Sequence, residues 1–397
     1  MGFLTSDIRN VTIAGHGQTG KTTLLEHLLF VSGVIPKPET TDSGKTVSDY
    51  SAEEIERKIS VYASLSHIER NGKLINFWDT PGSADFVGEV ISAFRSSEAA
   101  TMLIDGRNGV QIETVKLWRD LDRRNKPRMI FINHAEDERA DVSAIAKDVH
   151  DKFAVEVCQV TIPMNKSGKF EGVIDVLNGK AYFVPEAGKI EVAAEVPNEY
   201  QDEYKTALGV LTGSAAEGDD ELLIKFIDEG ELTSEEIAYG LKIALKNNRI
   251  VPSFCANVTE NSGLVPYLDF VAEIAPSPEE AIETAKNQDD ETVSVLIASS
   301  DVMSALVVKT ASDQFSGKLS YIKVINGTLN ADTEYWNIQD GRKEKIGKIY
   351  RTVGKKLVEL KSAAAGDICV AAKLSGAKTS NTLAATQDTL PFVRLRH

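Results

Sequence analysis

The feature that most constrains this chain is a glycine-rich segment at residues 15–22. It matches the phosphate-binding pattern G-x-x-x-x-G-K-[ST] at every fixed position. A β-branched apolar run at residues 11–14 precedes it and predicts a buried strand. Residues 23–29 follow with apolar side chains at helical spacing. A strand, a glycine loop and a helix form the context that the pattern requires, so nucleotide binding is favoured over an ordinary glycine-rich turn.

The residue types in this segment suit a polyphosphate. Glycines let backbone N–H groups approach phosphate oxygens, and the N-terminal end of the following helix favours their negative charge. We expect Lys21 to reach the β- and γ-phosphates, which also makes it a candidate catalytic residue, and the Thr22 hydroxyl to bind Mg²⁺. The candidate phosphate-binding residues are Gly15, His16, Gly17, Gln18, Thr19, Gly20, Lys21, Thr22 and Thr23.

A second candidate phosphate contact lies at residues 79–82. Asn71 and Gly72 form a hairpin signal, and the predicted strand at residues 74–78 then ends at Asp79. Ligands of open α/β sheets bind at the carboxyl ends of the strands. The Asp79 carboxylate can therefore hold the Mg²⁺ shell, and the backbone N–H of Gly82 can meet a γ-phosphate. The residues predicted to contact the nucleotide here are Asp79, Thr80, Pro81 and Gly82.

A polar stretch at residues 36–59, here called the switch segment, separates the two phosphate elements. Ser51 and Glu54 form a capping box within it, which predicts a short helix. Ser60 follows the stretch at a position from which its hydroxyl could reach Mg²⁺, and it joins Thr22 and Asp79 as a candidate metal ligand. Such a stretch could order around a γ-phosphate and relax when the phosphate is lost. A solvated loop is the alternative interpretation.

Composition narrows the class of protein. At 397 residues the chain is long enough for two or three domains. Its formal net charge of −15 argues against a protein that wraps nucleic acid with its whole surface, and no apolar run is long enough to predict a membrane span. The three cysteines have no metal-ligand spacing, so we expect a reducing, cytoplasmic setting.

The order of predicted elements indicates a layered α/β fold. Strand and helix candidates alternate, which predicts a doubly wound parallel sheet with helices on both faces. The pattern then changes to short strands followed by helices, as in an inserted subdomain. Thr233 and Glu236 form a capping box there, which predicts the start of the last helix of that subdomain. Beyond about residue 291, short strands with turn signals predict a β-barrel. Besides the strands and the helix already described, the predicted strands are residues 99–104 and 128–132, and the predicted helices are residues 84–97, 110–124 and 142–153.

With these motifs assembled, the chain resembles the elongation factor G family of ribosomal translocation GTPases, and most of all its divergent paralogues. The family's first nucleotide element resembles residues 15–22, and its Arg-Gly-Ile-Thr switch is similar to residues 57–60. Its Asp-Thr-Pro-Gly-His element resembles residues 79–83. Its Asn-Lys-x-Asp and Ser-Ala guanine elements resemble residues 133–136 and 255–256.

Further stretches resemble features specific to this family. Residues 170–175 and 219–223 are similar to the subdomain inserted in the family's GTPase domain, and residues 313–319 resemble the start of its second domain. The family normally continues with three more domains, so we expect this chain to be the N-terminal part of a longer protein. The resemblance covers essentially the whole sequence.

The resemblance implies a specific architecture. We predict a P-loop GTPase domain at residues 1–284 with a doubly wound, mainly parallel sheet. An inserted α+β subdomain is expected at about residues 156–249. An all-β barrel, domain II, is expected at residues 285–397.

The resemblance also implies GTP and GDP as ligands, Mg²⁺ as cofactor, and GTP hydrolysis as the activity. The implied partner is the ribosome, reached through the full-length protein, with no membrane or direct DNA binding; we expect a monomer. The residues implied to contact guanine are Asn133, His134, Glu136, Cys255, Ala256 and Asn257.

Departures from the family fall on the nucleotide site. Ser83 stands where the family has its catalytic histidine, and a serine hydroxyl is shorter and cannot become a cation near neutral pH. By analogy with losing one transition-state donor, hydrolysis could slow by about 10²–10³-fold. Glu136 replaces the aspartate that accepts hydrogen bonds from guanine, and His134 replaces a lysine, so we expect weaker selection against adenine. Lys58 replaces a glycine of the switch.

Two functions therefore compete. One is a translocation-type GTPase with weakened hydrolysis, and the other is a nucleotide-dependent ribosome-binding module with little or no GTPase activity. Ser83 is the residue that separates them. A P-loop kinase or ATPase with relaxed base choice is a third alternative, which the inserted subdomain and barrel disfavour. The sequence leaves open which ribosomal step is served.

Overall fold

The computed structural model describes residues 2–299, 301–313 and 317–394. Its N-terminal part is built on a mainly parallel sheet in the strand order β2-β3-β1-β4-β5-β11-β6, in which β2 runs antiparallel to β3. These strands are β1 (Ile8–Gly15), β2 (Ser64–Arg70), β3 (Lys73–Asp79), β4 (Ala99–Asp105), β5 (Arg128–Asn133), β6 (Val157–Gln159) and β11 (Val251–Ala256).

Helices cover both faces of this sheet. Leu24 and Leu28 of α1 pack with Tyr267 of α9 on one face, and Phe94 of α3 and Trp118 of α4 pack on the other. Both faces of β1 are covered, since all eight of its residues are buried, including the polar residues Arg9, Asn10 and Thr12. The predicted doubly wound fold is confirmed. The helices around the sheet are α1 (Lys21–Val31), α2 (Ala52–Arg57), α3 (Val87–Ser96), α4 (Ile112–Arg123), α5 (Val142–Phe153) and α9 (Leu264–Ile274).

A separate α+β unit interrupts the sheet between β6 and β11. Its four strands form an antiparallel sheet in the order β10-β9-β8-β7. The capping box predicted to open its last helix is present, since Thr233 accepts from the Glu236 N–H and the Glu236 carboxylate accepts from the Thr233 N–H. Its elements are β7 (Thr161–Lys166), β8 (Lys169–Asp175), β9 (Lys180–Phe183), β10 (Ala193–Glu195), α6 (Gln201–Ala216), α7 (Asp220–Glu229) and α8 (Ser234–Lys246).

The described residues from 282 onward form an antiparallel β-rich unit, here called the β-domain. It joins the first sheet directly, because β19 pairs with β2 at Val353 and Ser66. Its strands are β12 (Ile282–Lys286), β13 (Thr292–Leu296), β14 (Ser304–Asp313), β15 (Gly317–Asn326), β16 (Thr328–Asn330), β17 (Thr333–Asn337), β18 (Arg342–Ile346), β19 (Ile349–Val353), β20 (Lys356–Leu360), β21 (Ser362–Ala364), β22 (Ile368–Ala372) and β23 (Thr382–Ala384).

Some local predictions differ from the structure. The helix predicted at residues 84–97 begins as a 3-10 turn at Ala84–Phe86, because the backbone of Phe86 departs from helical geometry before α3 starts at Val87. The family-like stretch at residues 313–319 includes residues 314–316, which lie outside the described part of the chain. Within the described ranges, no helix is both long and apolar enough to cross a bilayer.

Candidate nucleotide-binding site

The glycine loop joins β1 to α1 in a conformation that needs glycine at two positions. Gly15 has a φ of 152°, and a Cβ atom there would lie 2.5 Å from the Leu103 carbonyl oxygen. Gly20 has a φ of 95°, and its Cβ would lie 2.5 Å from the Asn133 amide nitrogen. Larger residues would strain the backbone and clash at both points. The loop therefore turns tightly into the N-terminal end of α1.

Lys21 is the first residue of α1, and its ammonium group lies inside the loop. Nζ donates hydrogen bonds to the carbonyl oxygens of Gly15 at 3.0 Å and His16 at 2.8 Å. Burial lowers the Lys21 pKa to about 8, against the opposing charge of Asp79. A polyphosphate bound in the loop would supply the negative charge that a buried ammonium group favours.

The second phosphate element approaches this loop closely. A Cβ atom on Gly82 would lie 2.6 Å from Lys21 Nζ and 2.7 Å from the Cα of Gly17. Glycine is therefore the residue that lets the two elements meet. Thr80 supports the approach, since its hydroxyl donates to the Ile13 carbonyl at 2.7 Å and ties the turn after β3 to β1.

The three predicted metal ligands come together beside Lys21. The Thr22 hydroxyl donates to Asp79 Oδ2 at 2.7 Å and lies 3.1 Å from the Ser60 hydroxyl. Asp79 is buried, and its Oδ1 atom has no hydrogen-bond partner among the residues that the structure describes. An oxygen of this kind is available to a further ligand.

Asp49 is a site residue that sequence reasoning missed. Its side chain is only 7% exposed, it lines the same cavity, and its Oδ1 atom is likewise without a hydrogen-bond partner among the described residues. Burial raises the pKa of the Asp49 carboxyl, and the negative charge of Asp79 adds to that rise. The available signal was its position just before the capping box, inside the stretch predicted to act as a switch.

The donor set around these atoms fits Mg²⁺. Two hydroxyls and two carboxylates offer only oxygen, which is the ligand that this hard cation prefers. The two partnerless carboxylate oxygens are buried, so an added positive charge would satisfy groups that water does not reach. The residues present therefore fit the cofactor that the sequence predicts.

Hydrogen bonds attach the switch segment to α1, and the segment contains a short helix of its own, α2. The Glu26 carboxylate accepts from the backbone N–H groups of Glu39 at 3.1 Å and Val47 at 2.9 Å. The capping box of Ser51 and Glu54 is present as predicted. Lys58 ends that helix with a φ of 54°, a left-handed conformation that a glycine would adopt at lower cost. The substitution noted from the sequence therefore carries local backbone strain.

The candidate base-binding loops lie on the other side of the cavity. Asn133 donates to the Thr19 carbonyl at 3.0 Å, and the Ala135 N–H donates to the Ala256 carbonyl at 3.0 Å. These two bonds join the phosphate loop, the loop after β5 and the loop after β11. Cys255 is buried, and its thiol accepts a hydrogen bond from the Thr161 hydroxyl at 3.7 Å.

His134 and Glu136 form the altered part of the base-binding region. His134 has a φ of 60°, and its Nδ1 lies 3.4 Å from Glu136 Oε1. The other glutamate oxygen, Oε2, is buried and has no hydrogen-bond partner within the described ranges. An acceptor is therefore present, although its longer side chain is partly engaged by the histidine.

Ser83 lines the cavity next to Gly82. Its hydroxyl accepts a long hydrogen bond of 3.4 Å from the Asp85 N–H, which starts the 3-10 turn before α3. Glu113 at the start of α4 faces the same cavity, and that glutamate pairs with Lys116 at 2.7 Å. No imidazole stands at position 83.

The cavity formed by these elements has a volume of about 740 Å³. Most of the predicted phosphate-loop residues line this cavity, whereas ten of the predicted site residues do not. The predicted residues that line it are His16, Gly17, Gln18, Gly20, Lys21, Thr22, Thr23, Ser60, Gly82, Ser83 and His134. Those that do not line it are Gly15, Thr19, Asp79, Thr80, Pro81, Asn133, Glu136, Cys255, Ala256 and Asn257.

This fold and this site define a P-loop GTPase. Residues 6–312 match the family described as "Elongation factor Tu GTP binding domain", and residues 302–386 match "Elongation factor G domain 2". The chain belongs to the elongation factor Tu GTP-binding-domain family, and its match to domain 2 makes it elongation factor G-like within that family.

A solved structure has a similar fold over almost the whole of this chain. The chain is similar to a crystal structure of a protein from Thermus thermophilus, with a TM-score of 0.86 and 27% sequence identity. The similarity covers 98% of this chain and 56% of that one. This chain therefore spans little more than half the length of the protein that it matches.

Proposed function

We propose that this chain binds GTP and GDP with Mg²⁺ in the 740 Å³ cavity and hydrolyses GTP slowly. The observation that carries this proposal is the convergence of Thr22, Ser60 and Asp79 beside the buried ammonium group of Lys21. One cation and one polyphosphate would satisfy all four groups together. Membership of a GTPase family supports the same activity.

The magnesium ion would be held by Thr22 and Ser60, with Asp79 and Asp49 close enough to complete its shell. When bound, it would neutralise charge on the β- and γ-phosphates and orient them. Lys21 would contribute a second positive charge to the same oxygens, and the Gly82 N–H would contact the γ-phosphate. These groups bind the ground state, so we expect tight binding of nucleotide.

Base recognition would rest on residues 133–136 and the backbone of Ala256. The buried Glu136 Oε2 offers one acceptor for guanine N–H groups, and His134 could stack on the base in place of a lysine. Because Glu136 is longer than the family's aspartate and lies near His134, we propose that GTP is preferred over ATP by less than in the family.

Slow hydrolysis would follow from Ser83. The attacking water needs a group that orients it in the transition state, and a serine hydroxyl is shorter than the family's histidine and cannot become a cation near neutral pH. The second candidate function, a nucleotide-dependent ribosome-binding module with little or no hydrolysis, is favoured by this same observation. In either case we propose that the ribosome is the partner, as expected for a translation factor.

The proposed domain limits follow the predicted ones, with a GTPase domain at residues 1–284, an insert near residues 156–249 and a second domain from residue 285. The unit between β6 and β11, and the antiparallel strands from Ile282 onward, support this division.

Calorimetric titration of the chain with GTP, GDP and ATP in the presence of Mg²⁺ tests the proposal. Wild type should bind GTP and GDP, whereas Lys21→Ala should lose both. Lys147→Ala is the control, because Lys147 is exposed on α5 and pairs only with Asp151 among the ion pairs of the described residues. Equal affinities in wild type and Lys21→Ala would overturn the assignment.

A further inference from the structure

A lysine of the β-domain reaches into the first domain and closes a three-way junction. Lys309 Nζ on β14 donates to Glu89 Oε2 at 2.6 Å and to the Ala63 carbonyl oxygen at 2.7 Å. The Ala63 N–H donates to the same Glu89 oxygen at 2.7 Å. Each of the three residues therefore contacts the other two.

Each partner of Lys309 closely follows one of the two elements that would contact a γ-phosphate. Ala63 lies three residues after Ser60, between the switch segment and the start of β2 at Ser64. Glu89 lies on α3, which begins shortly after Gly82 and Ser83. A single ammonium group thus connects the continuation of the switch segment to the helix that follows the second phosphate element.

The ammonium group at the centre of this junction is buried beside two tyrosine rings. The Lys309 side chain is 7% exposed, and its Nζ lies 5.6 Å and 5.7 Å from the ring centroids of Tyr62 and Tyr321. Burial lowers the Lys309 pKa, while the Glu89 charge opposes that effect. A buried charge whose partner is removed is strongly unfavourable, so the three groups should move together or not at all.

GTP differs from GDP in the γ-phosphate, and binding that group requires Ser60 and Gly82 to be correctly placed at the same time. An error of about 1 Å between groups that act together is costly in binding and catalysis. GDP lacks the γ-phosphate, so its binding does not depend on how Gly82 and Ser60 are placed relative to each other. A residue that sets the relative position of the two γ-phosphate elements should therefore affect GTP much more than GDP.

We propose that Lys309 is a positioning residue of the nucleotide site, through which the β-domain aligns the switch segment and α3 for the γ-phosphate. Lys309 touches neither nucleotide nor metal in this proposal and acts through Ala63 and Glu89. The inference rests on the proposed function, because it assumes that the cavity binds guanine nucleotide.

The test compares wild type, Lys309→Met, Glu89→Gln and the double variant. Methionine keeps a flexible apolar side chain of similar length and removes the charge. Lys348→Met is the matched control. Lys348 is an exposed lysine of the same β-domain, and it pairs with Glu359 at 2.8 Å rather than with a residue of the junction. Dissociation constants for GTP and GDP are measured for each, together with the thermal unfolding midpoint.

We expect Lys309→Met to weaken GTP binding about tenfold, equivalent to about 1.4 kcal/mol, while GDP binding changes less than about twofold. Glu89→Gln should give the same selective loss, and the double variant should lose little more than either single variant, because the three groups act as one junction. Lys348→Met should match wild type.

Limited trypsin digestion supplies an independent readout. Arg57 and Lys58 are exposed cleavage sites of the switch segment. GTP should protect them in wild type and in Lys348→Met, and protect them poorly in Lys309→Met and Glu89→Gln.

Distinct results overturn distinct statements. Wild type that binds neither nucleotide refutes the proposed function. If wild type binds both nucleotides and the affinities of Lys309→Met and Glu89→Gln for GTP equal that of wild type, only the positioning role is refuted. An equal loss of GTP and GDP affinity with a lowered unfolding midpoint also refutes it, since that pattern indicates only structural support. If Lys309→Met fails to fold, Glu89→Gln decides the question, because it weakens the same junction from the other domain.

Discussion

Gly354 of the β-domain lies directly against Val47 of the switch segment, so that a Cβ atom on Gly354 would be 2.0 Å from the Val47 carbonyl oxygen. On its other side, the Val47 N–H donates to the Glu26 carboxylate of α1 at 2.9 Å. The segment is therefore held between the helix that follows the phosphate loop and a hairpin of the second domain. Lys309 makes a second contact with this region, at Ala63, four residues beyond the end of the switch segment.

Gly354→Ala should loosen the switch segment, whereas Gly341→Ala should not. The two glycines have φ values of 53° and 62°, so each substitution carries a left-handed backbone cost of about 1–2 kcal/mol. Gly341 has no neighbouring atom within 4 Å among those described, so only Gly354→Ala adds a clash. Tryptic cleavage in the presence of GTP measures the difference, and equal protection of both variants would show that the contact has no effect on the segment.

Ser83→His should accelerate GTP hydrolysis with little change in GTP affinity. The histidine adds an interaction that matters mainly in the transition state, and a gain of about 10²–10³-fold is the size of one such group. Single-turnover phosphate release provides the measurement, with and without ribosomes. Ser143→His, which adds an imidazole to the exposed start of α5, controls for non-specific effects. A fast wild-type rate that the histidine leaves unaltered would mean that another residue orients the water.

Glu136→Asp should tighten GTP binding and leave ATP binding nearly unchanged. The shorter carboxylate would move out of reach of His134 and return the acceptor to the family's position. A charged hydrogen bond is worth about 1.5–3 kcal/mol, so the gain in affinity should be at least about tenfold. Glu138→Asp, in the same loop but exposed, is the control. Weaker GTP binding would instead indicate that the loop has rearranged around the glutamate.

The free energy of unfolding should fall as pH rises through the weakly acidic range, because Glu191 loses its proton there. Its carboxylate caps α9 by accepting from the Gly263 and Val265 N–H groups at 2.8 Å and 2.7 Å, yet burial raises its pKa from 4.5 to about 7. The folded protein therefore binds this proton more tightly than the unfolded chain does. Its stabilising contribution is complete below about pH 4.5 and is lost as pH approaches 7.

Urea unfolding of wild type and Glu191→Gln between pH 4.5 and 8 tests this expectation. The free energy of unfolding of wild type relative to the variant should decline over that range by about 3 kcal/mol, since one pKa unit corresponds to about 1.36 kcal/mol. Glu186→Gln, an exposed neighbour that pairs with Lys189, should follow wild type. Parallel pH profiles for wild type and Glu191→Gln would show that Glu191 does not titrate in this range.

Sequence alone was sufficient for the local features of this protein. The phosphate loop, the capping boxes at Ser51 and Thr233 and the strand that ends at Asp79 are each specified by a few neighbouring residues. Their conformations follow from glycine's freedom, from side-chain hydrogen bonds to nearby N–H groups and from apolar periodicity. The family assignment was possible for the same reason, because it rests on short motifs in a recognisable order.

The tertiary structure decided what these elements touch. Asp49 belongs to the candidate metal site because the switch segment folds back over Thr22, and no pattern of neighbouring residues predicts that path. Lys309 meets Glu89 across 220 residues, and Glu191 meets Gly263 across 72. Such pairs form only when the sheet order and the docking of the β-domain bury them together. Local sequence signals encode backbone preference, whereas these long-range contacts depend on topology and burial, which the whole chain determines at once.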